Sequence, residues 1–345
     1  MSDPVTGARP ARKLISVVAP VYFEEAVIEA FYTRLRAALE ALADRYDHEI
    51  LFVNDGSTDR SLEILRGFAA ADPSVRVLDL SRNFGHQMAI TAGMDEAAGD
   101  AVVVLDADLQ DPPEVIAEML AKWEAGYQVV YAVRERRKGE SRLRLWVTGL
   151  FYRFLRSMSE VKPPVDTGDF RLLDRQVLEV LKGMREHGRY LRGLVTWVGF
   201  RQYALPYVRD ARYAGEAKYT LAKLAKLALD GITSFSERPL YVAGYAGLFL
   251  TSVSFLFIVW VLAVKLLHPE AIIQGWTSLM IVVLFMGGIQ LLFVGLLGLY
   301  LGRVFTETKG RPLYVIAQRY GADRSAPPSG GNAESGREYP ADESL

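Results

Sequence analysis

Val103-Val104-Leu105-Asp106-Ala107-Asp108-Leu109-Gln110-Asp111-Pro112-Pro113 decides how the rest of this chain is read. The run from Ala101 to Leu105 is apolar throughout, the pattern of a strand buried on both faces. It breaks into the carboxylates Asp106, Asp108 and Asp111, and then into Pro112 and Pro113. The prolines fit a turn and the first positions of a helix continuing from Glu114 to Ala125. Carboxylates at the carboxyl end of a parallel strand stand where open α/β sheets bind ligands. Asp106 and Asp108 are two apart, so in extended backbone they point the same way. Like charges side by side are costly unless a cation lies between them. Hard divalent ions are held by one or two carboxylates together with substrate phosphates. The stretch therefore reads as a metal–diphosphate site. A DxD alone is short and common; the reading rests on its company.

Upstream, Leu14 to Ala19 is a short buried strand ending at Pro20. Glu24 to Tyr46 carries helical periodicity through Ile28, Phe31, Leu35, Leu39 and Leu42. Glu49 to Val53 is a second strand, running into Asn54-Asp-Gly-Ser-Thr-Asp59. Ser57, Thr58 and Asp59 suit the N-terminus of a helix that runs to Ala71. Val75 to Leu80 is a third strand, followed by Ser81-Arg-Asn-Phe-Gly-His86 and a helix from Gln87 to Ala98. Downstream, Gln128 to Val133 is a strand ending at Arg134. Alternation of strand and helix, with polar residues at strand ends, predicts a doubly wound α/β domain with its site along one edge. Pro20, Tyr22 and Glu24 are placed to flank a base, Asp55 to accept from a base or ribose, and Arg82 and His86 to meet base or diphosphate. No GxGxxG follows the first strand and no GxxxxGK[ST] occurs, which argues against dinucleotide and P-loop readings.

The 345 residues are unevenly apolar. Leu240 to Val264 has no charge, and Ala271 to Gly302 is also uncharged and contains a second span from about Thr277. A membrane helix needs about 20 apolar residues, so both qualify. Lys218, Lys223, Lys226 and Arg238 precede them, and Arg303, Lys309 and Arg311 follow. That puts both termini and the α/β domain on the cytoplasmic side of an inner membrane. Arg142 to Met158 segregates Trp146, Leu150, Phe151, Phe154 and Met158 from Arg142, Arg153 and Arg156, as a helix in the headgroup plane would. Tyr219 to Phe235 is a second amphipathic segment before the spans. Residues 1–13 read as a disordered lead-in without a signal peptide, and the tail after Arg319 as disordered. The α/β domain is expected over 14–218, a juxtamembrane helix over 219–238, the spans over 239–303 and a tail over 304–345. Net charge is −1, giving no field for nucleic acid. With no cysteine, disulfides, zinc–thiolate sites and thiol nucleophiles are excluded.

A nucleotide–metal site beside a membrane surface implies a soluble donor and a lipid acceptor. Pro20-Val-Tyr-Phe-Glu24, Asn54-Asp-Gly-Ser-Thr-Asp59, Asp106-Ala-Asp-Leu-Gln110 and Arg212-Tyr-Ala-Gly-Glu-Ala-Lys218 together resemble the polyprenyl-phosphate glycosyltransferases. These are inverting GT-A-fold enzymes, relatives of dolichyl-phosphate mannose synthase. The resemblance is closest to the bacterial branch with two C-terminal spans, whose members make undecaprenyl-phosphate sugars. It covers about Leu14 to Tyr314.

The resemblance implies roles by position. Pro20, Tyr22, Glu24 and Asp55 would hold the nucleoside, with Arg82 and Asp106 in the donor site. Asp106, Asp108 and Gln110 would bring Mg²⁺ or Mn²⁺ to the diphosphate. Arg134 would neutralise phosphate at the transfer point. Arg137, Arg153, Ser157, Arg212 and Lys218 would serve the acceptor phosphate, and Asp166 and Asp169 would face sugar and acceptor. Ala217 stands where relatives often have Ser, and Phe84 where some carry Lys. UDP-glucose is the leading donor and a homotetramer the implied assembly. An acceptor phosphate is already a nucleophile at neutral pH, so the work is holding two anions together. The rival readings are a processive polysaccharide synthase, of whose QxxRW signature Arg189 to Trp197 is a loose echo, and a non-catalytic membrane scaffold.

Overall fold

A computed structural model describes residues 12–134, 167–208, 238–267 and 276–322. The chain runs β1 (Lys13–Val21), α1 (Ile28–Glu40), β2 (Tyr46–Asn54), α2 (Ser61–Ala71), β3 (Val75–Leu80), α3 (His86–Glu96), β4 (Ala101–Val104), α4 (Val115–Glu124) and β5 (Val129–Arg134). It continues with β6 (Thr167–Asp174), α5 (Arg175–Gly183), α6 (Leu191–Trp197), β7 (Gln202–Tyr207), α7 (Arg238–Leu267), α8 (Trp276–Thr308) and β8 (Ile316–Tyr320). The expected first helix is shorter than its periodicity, because residues 24–27 form the turn that enters it. Asp59 does help start α2: its Oδ1 accepts from the Ser61 N–H at 3.1 Å.

The eight strands form one sheet in the order β7-β5-β6-β4-β1-β2-β3-β8. β1 lies parallel between β4 and β2, and β3 is parallel beside β2. This is the predicted wound half, and its strands are buried on both faces. Phe31, Phe52 and Leu65 belong to the core on one side, and Leu51, Ile90 and Leu178 to the core on the other. Removing a buried ring such as Phe52 would cost about 3–5 kcal/mol. Beyond β4 the sheet becomes mixed. β6 inserts between β4 and β5 and runs antiparallel to both. Its pairing brings Arg171 opposite Val104, so the residues just before it reach the end of the DxD strand.

α3 lies unusually close to the sheet. A Cβ on Gly93 would fall 2.3 Å from Val18 Cγ1, and Ala89 and Ala92 are fully buried. Small residues on that face let the helix sit down, which delivers its first residues, His86 and Gln87, to the strand ends.

β8 is a strand that the sequence reading did not place. Arg319 and Tyr320, at the border of the segment read as disordered, belong to an antiparallel edge strand beside β3, with Tyr320 opposite Val77. Side chains fasten this strap: Tyr314 donates to Asp95 at 2.7 Å and Arg319 to Glu96 at 2.8 Å. Glu307, near the end of α8, accepts from the His187 N–H at 2.8 Å.

The helices α7 and α8 span 30 and 33 residues. Phe285–Thr308 is long and apolar enough to cross a membrane, while Ala243–Phe257 is a shorter apolar stretch. Their large apolar side chains, among them Phe249, Leu256, Trp260, Leu291 and Leu301, are exposed. The expected amphipathic segments Arg142 to Met158 and Tyr219 to Phe235 lie outside the described residues.

Candidate active site

Three strand ends and the start of α3 enclose a cleft of about 400 Å³. Pro20, Tyr22, Glu24 and Asp55 line one part; Asp106 and Asp108 line another, with Asn83, Gly85, His86 and Ala89 between. The sequence-predicted donor residues thus converge, apart from Arg82. That residue is exposed, donates to the Asn83 carbonyl at 2.9 Å and covers the Phe84 ring at 4.0 Å.

Asp55 does more than line the cleft. Its Oδ1 accepts from the Phe84 N–H at 2.7 Å and its Oδ2 from the Gly85 N–H at 2.9 Å. It is 2 % exposed, and burial raises its pKa against the pull of those two backbone donors. The carboxylate is a clamp that fixes the 81–85 loop. Gly56 makes room for that loop: at φ +70° it has no Cβ, and one would fall 2.6 Å from the Arg82 backbone.

Tyr22 and Phe23 form an exposed aromatic lip, their ring centroids 4.3 Å apart. Phe23 has a left-handed backbone, φ 59°, as does Leu109 in the DxD loop, φ 60°. Each conformation costs roughly 1 kcal/mol or more for a residue with a Cβ. Phe23 is held by its N–H to Ser57 Oγ at 3.2 Å. In the DxD loop, Asp108 Oδ1 accepts from the Gln110 N–H at 3.1 Å.

The floor of the cleft is a cluster of carboxylates and cations. Asp106 Oδ1 is buried, accepts no hydrogen bond and lies 3.4 Å from His86 Nε2. Burial pushes Asp106 up to about 6; the charge of His86 resists this, while those of Asp169, Asp111 and Asp108 add to it. Asp169 is the reverse. Its Oδ1 accepts from Arg192 Nε at 3.0 Å and its Oδ2 from Arg192 Nη2 at 3.2 Å. Gln87 Nε2 donates to Oδ2 at 3.2 Å, His86 Nε2 lies 3.2 Å from Oδ2, and Arg171 Nη2 reaches Oδ1 at 3.4 Å. Burial opposes its charge, but the His86 and Arg192 hydrogen bonds and the charges of Arg192 and Arg171 win, holding it far below the usual carboxylate range. His86 is raised in turn: burial disfavours the imidazolium, but Asp169 and Asp106 outweigh it.

Asp111 is fully buried and accepts a short hydrogen bond from the Tyr207 hydroxyl. Arg134 Nε donates to the same hydroxyl at 3.4 Å. Tyr207 therefore ties the DxD loop to Arg134. Gln110 is buried and is not among the residues that line the cleft. Arg137, Arg153, Ser157, Asp166, Arg212 and Lys218 lie outside the described residues.

The donor set fits a divalent ion. Asp106 presents a buried oxygen that accepts no hydrogen bond, inside a group of mutually repelling carboxylates. No three His, Asp or Glu side chains among the described residues form a ready-made cage. That agrees with an ion held by one or two carboxylates and completed by substrate phosphates.

Arg192, Gln87 and Tyr207 were missed by sequence reasoning, and Asp111, read with the other carboxylates of its stretch, was given no partner. The available signal was a pair of arginines, Arg189 and Arg192, in a mostly apolar stretch.

The model of the family described as Glycosyl transferase family 2 matches residues 16–182. An uncharacterized glycosyltransferase of Bacillus subtilis, YkcC, is 52% identical over 89% of this chain and 94% of its own. The chain belongs to glycosyl transferase family 2. This glycosyltransferase has the GT-A-like α/β fold with a mixed sheet. It is also 42% identical to the SfII prophage-derived bactoprenol glucosyl transferase of Shigella flexneri, over 89% of this chain and 98% of that one. A solved mannosyltransferase of Pyrobaculum calidifontis, in complex with GDP-Man and Mn²⁺, aligns with a TM-score of 0.44 at 17% identity, covering 78% of this chain and 84% of that one.

Proposed function

We propose that this glycosyltransferase moves a hexose, glucose in the first instance, from a UDP-sugar to a polyprenyl phosphate at the cytoplasmic face of a membrane. The observation that carries the reading is the under-partnered Asp106 in a cleft rimmed by Tyr22, Glu24 and Asp55. The identity to a bactoprenol glucosyl transferase over 98% of that protein's length supports the acceptor. Helices α7 and α8 are both offered as membrane spans, since each exceeds the roughly 20 residues a bilayer requires. Basic residues Arg238, Arg303, Lys309 and Arg311 at their outer ends favour cytoplasmic termini.

Pro20, Tyr22 and Glu24 form the nucleoside rim, and Asp55 keeps the 81–85 loop in place beneath it. Asp106 and Asp108 would hold Mg²⁺ or Mn²⁺, which supplies Lewis-acid stabilisation of the departing diphosphate. Arg134 lies against the DxD loop through Tyr207 and offsets phosphate charge there. Acceptor binding falls to Arg137, Arg153, Ser157, Arg212 and Lys218. Attack by the lipid phosphate opposite the leaving diphosphate inverts the anomeric carbon. Asp169 is fully engaged by its neighbours, so its contribution is to organise His86 and Arg192; contact with sugar and acceptor falls to Asp166.

The test is a label-transfer assay with membranes carrying the protein. UDP- and GDP-sugars are offered with undecaprenyl phosphate and a divalent ion, and counts are read in the organic-extractable lipid. Transfer from UDP-glucose is expected, weakened by Arg153→Ala through the lipid phosphate more than through the nucleotide sugar. No labelled lipid from any sugar would remove the proposal.

A further inference from the structure

We propose that Arg192 is a positioning residue for glycosyl transfer, acting on the cleft floor through Asp169 and His86; this rests on the transfer reading above. Arg192 sits at the start of α6, a helix docked from two sides. Gln87 Oε1 accepts from the Leu191 N–H at 3.1 Å, while Gln87 Nε2 donates to Asp169 Oδ2 at 3.2 Å. The guanidinium then forks onto both oxygens of the same carboxylate. Parallel paired bonds of this kind fix orientation as well as charge.

Arg171, the other arginine on Asp169, cannot take over. It is buried and donates to the backbone carbonyls of Gly168 at 3.0 Å and Asp169 at 3.2 Å. Its reach to the Asp169 carboxylate is the longest in the set, 3.4 Å. Among the described residues Arg192 spends its side-chain hydrogen bonds on Asp169 alone, and it keeps 33% of its side chain exposed.

Asp169 Oδ2 shares His86 with Asp106: Nε2 is 3.2 Å from Asp169 and 3.4 Å from Asp106 Oδ1. With the fork in place, Asp169 is held square and His86 stays between the two carboxylates. Without it, a carboxylate only 6% exposed keeps His86 and Gln87 as its main side-chain donors, and His86 is drawn toward Asp169. Asp106 is then uncovered where the transferring group must be aligned, and the nucleoside rim at Pro20 to Glu24 is untouched. Misplacement of that order reduces turnover rather than donor binding.

The experiment uses the full chain in detergent with Mn²⁺, UDP-glucose and undecaprenyl phosphate. Arg192→Ala is expected to lower kcat about 100-fold with donor KM within about 3-fold. Arg192→Lys keeps the charge without the fork and should lose about 10-fold, with the wild-type thermal transition retained. The double variant Asp169→Asn/Arg192→Ala should lie within about 3-fold of Asp169→Asn alone, because both losses run through one contact. Added guanidinium should restore part of the Arg192→Ala rate and none of the Asp169→Asn rate. Wild-type kcat in Arg192→Lys, a loss residing in donor KM, or a double variant at the product of the single losses would each overturn the inference. Absence of transfer by the wild-type chain would instead remove the function it rests on.

Discussion

The loop after β4 and the start of β6 each offer a carboxylate to the same imidazole, and the two are opposites. Asp106 has an oxygen that accepts no hydrogen bond and is pushed up to about 6 by burial and its acidic neighbours. Asp169 is buried just as deliberately, yet two arginines, a glutamine and a histidine surround it. Burying a charge costs free energy unless it is paired. On the proposed function, the paired carboxylate would organise its neighbours, and the under-paired one would be where a cation and its phosphates complete the site. Burial and acidity alone do not separate the two, and the donor inventory does.

The largest effect should come from the under-paired side. Asp108→Ala is expected to lower label transfer by roughly 10³-fold or more while the protein remains folded in membranes. Turnover near wild type would break the contrast. Asp169→Asn should lower kcat about 100-fold and, unlike Asp108→Ala, should also destabilise the chain by about 3 kcal/mol, because it leaves Arg171 and Arg192 without their counter-charge. The pH dependence sharpens this. Asp169 is held below its usual pKa, so its own ionisation is complete above about pH 4 and the stabilisation shrinks as pH falls below that toward its folded value. Thermal unfolding of wild type and Asp169→Asn should therefore differ by a margin that narrows as pH falls below about 4 and also falls in part as pH rises through the raised pKa of His86, whose imidazolium Asp169 favours; a margin unchanged on acidification would contradict it.

Tyr207→Phe removes the hydroxyl between Asp111 and Arg134. A loss of about 10-fold in kcat and about 1–3 kcal/mol in stability is expected, read by steady-state kinetics and denaturant unfolding. The smallest effect belongs to the strap. Tyr314→Phe loses one hydrogen bond to Asp95 and should cost about 1 kcal/mol with transfer unchanged; a drop in kcat would show that α3 transmits strain from strap to cleft.

Much of the donor side was legible because it is local. An apolar strand ending in Asp106 and Asp108, and Asp55 and Tyr22 at the ends of neighbouring strands, follow from the period of side chains and the strand–helix alternation. Local pattern was enough for this ladder of strand ends, the DxD and the apolar helices that follow. Tertiary structure alone decided that β6 inserts between β4 and β5, that β8 returns to the sheet after α8, and that Arg192 forks onto Asp169. Each of those depends on pairing between residues far apart in the chain. Asp111 meets Tyr207 across 96 positions, and Tyr314 meets Asp95 across 219. A local pattern reports which face of an element is apolar; which partner satisfies a buried charge is set only when the whole sheet has closed around it.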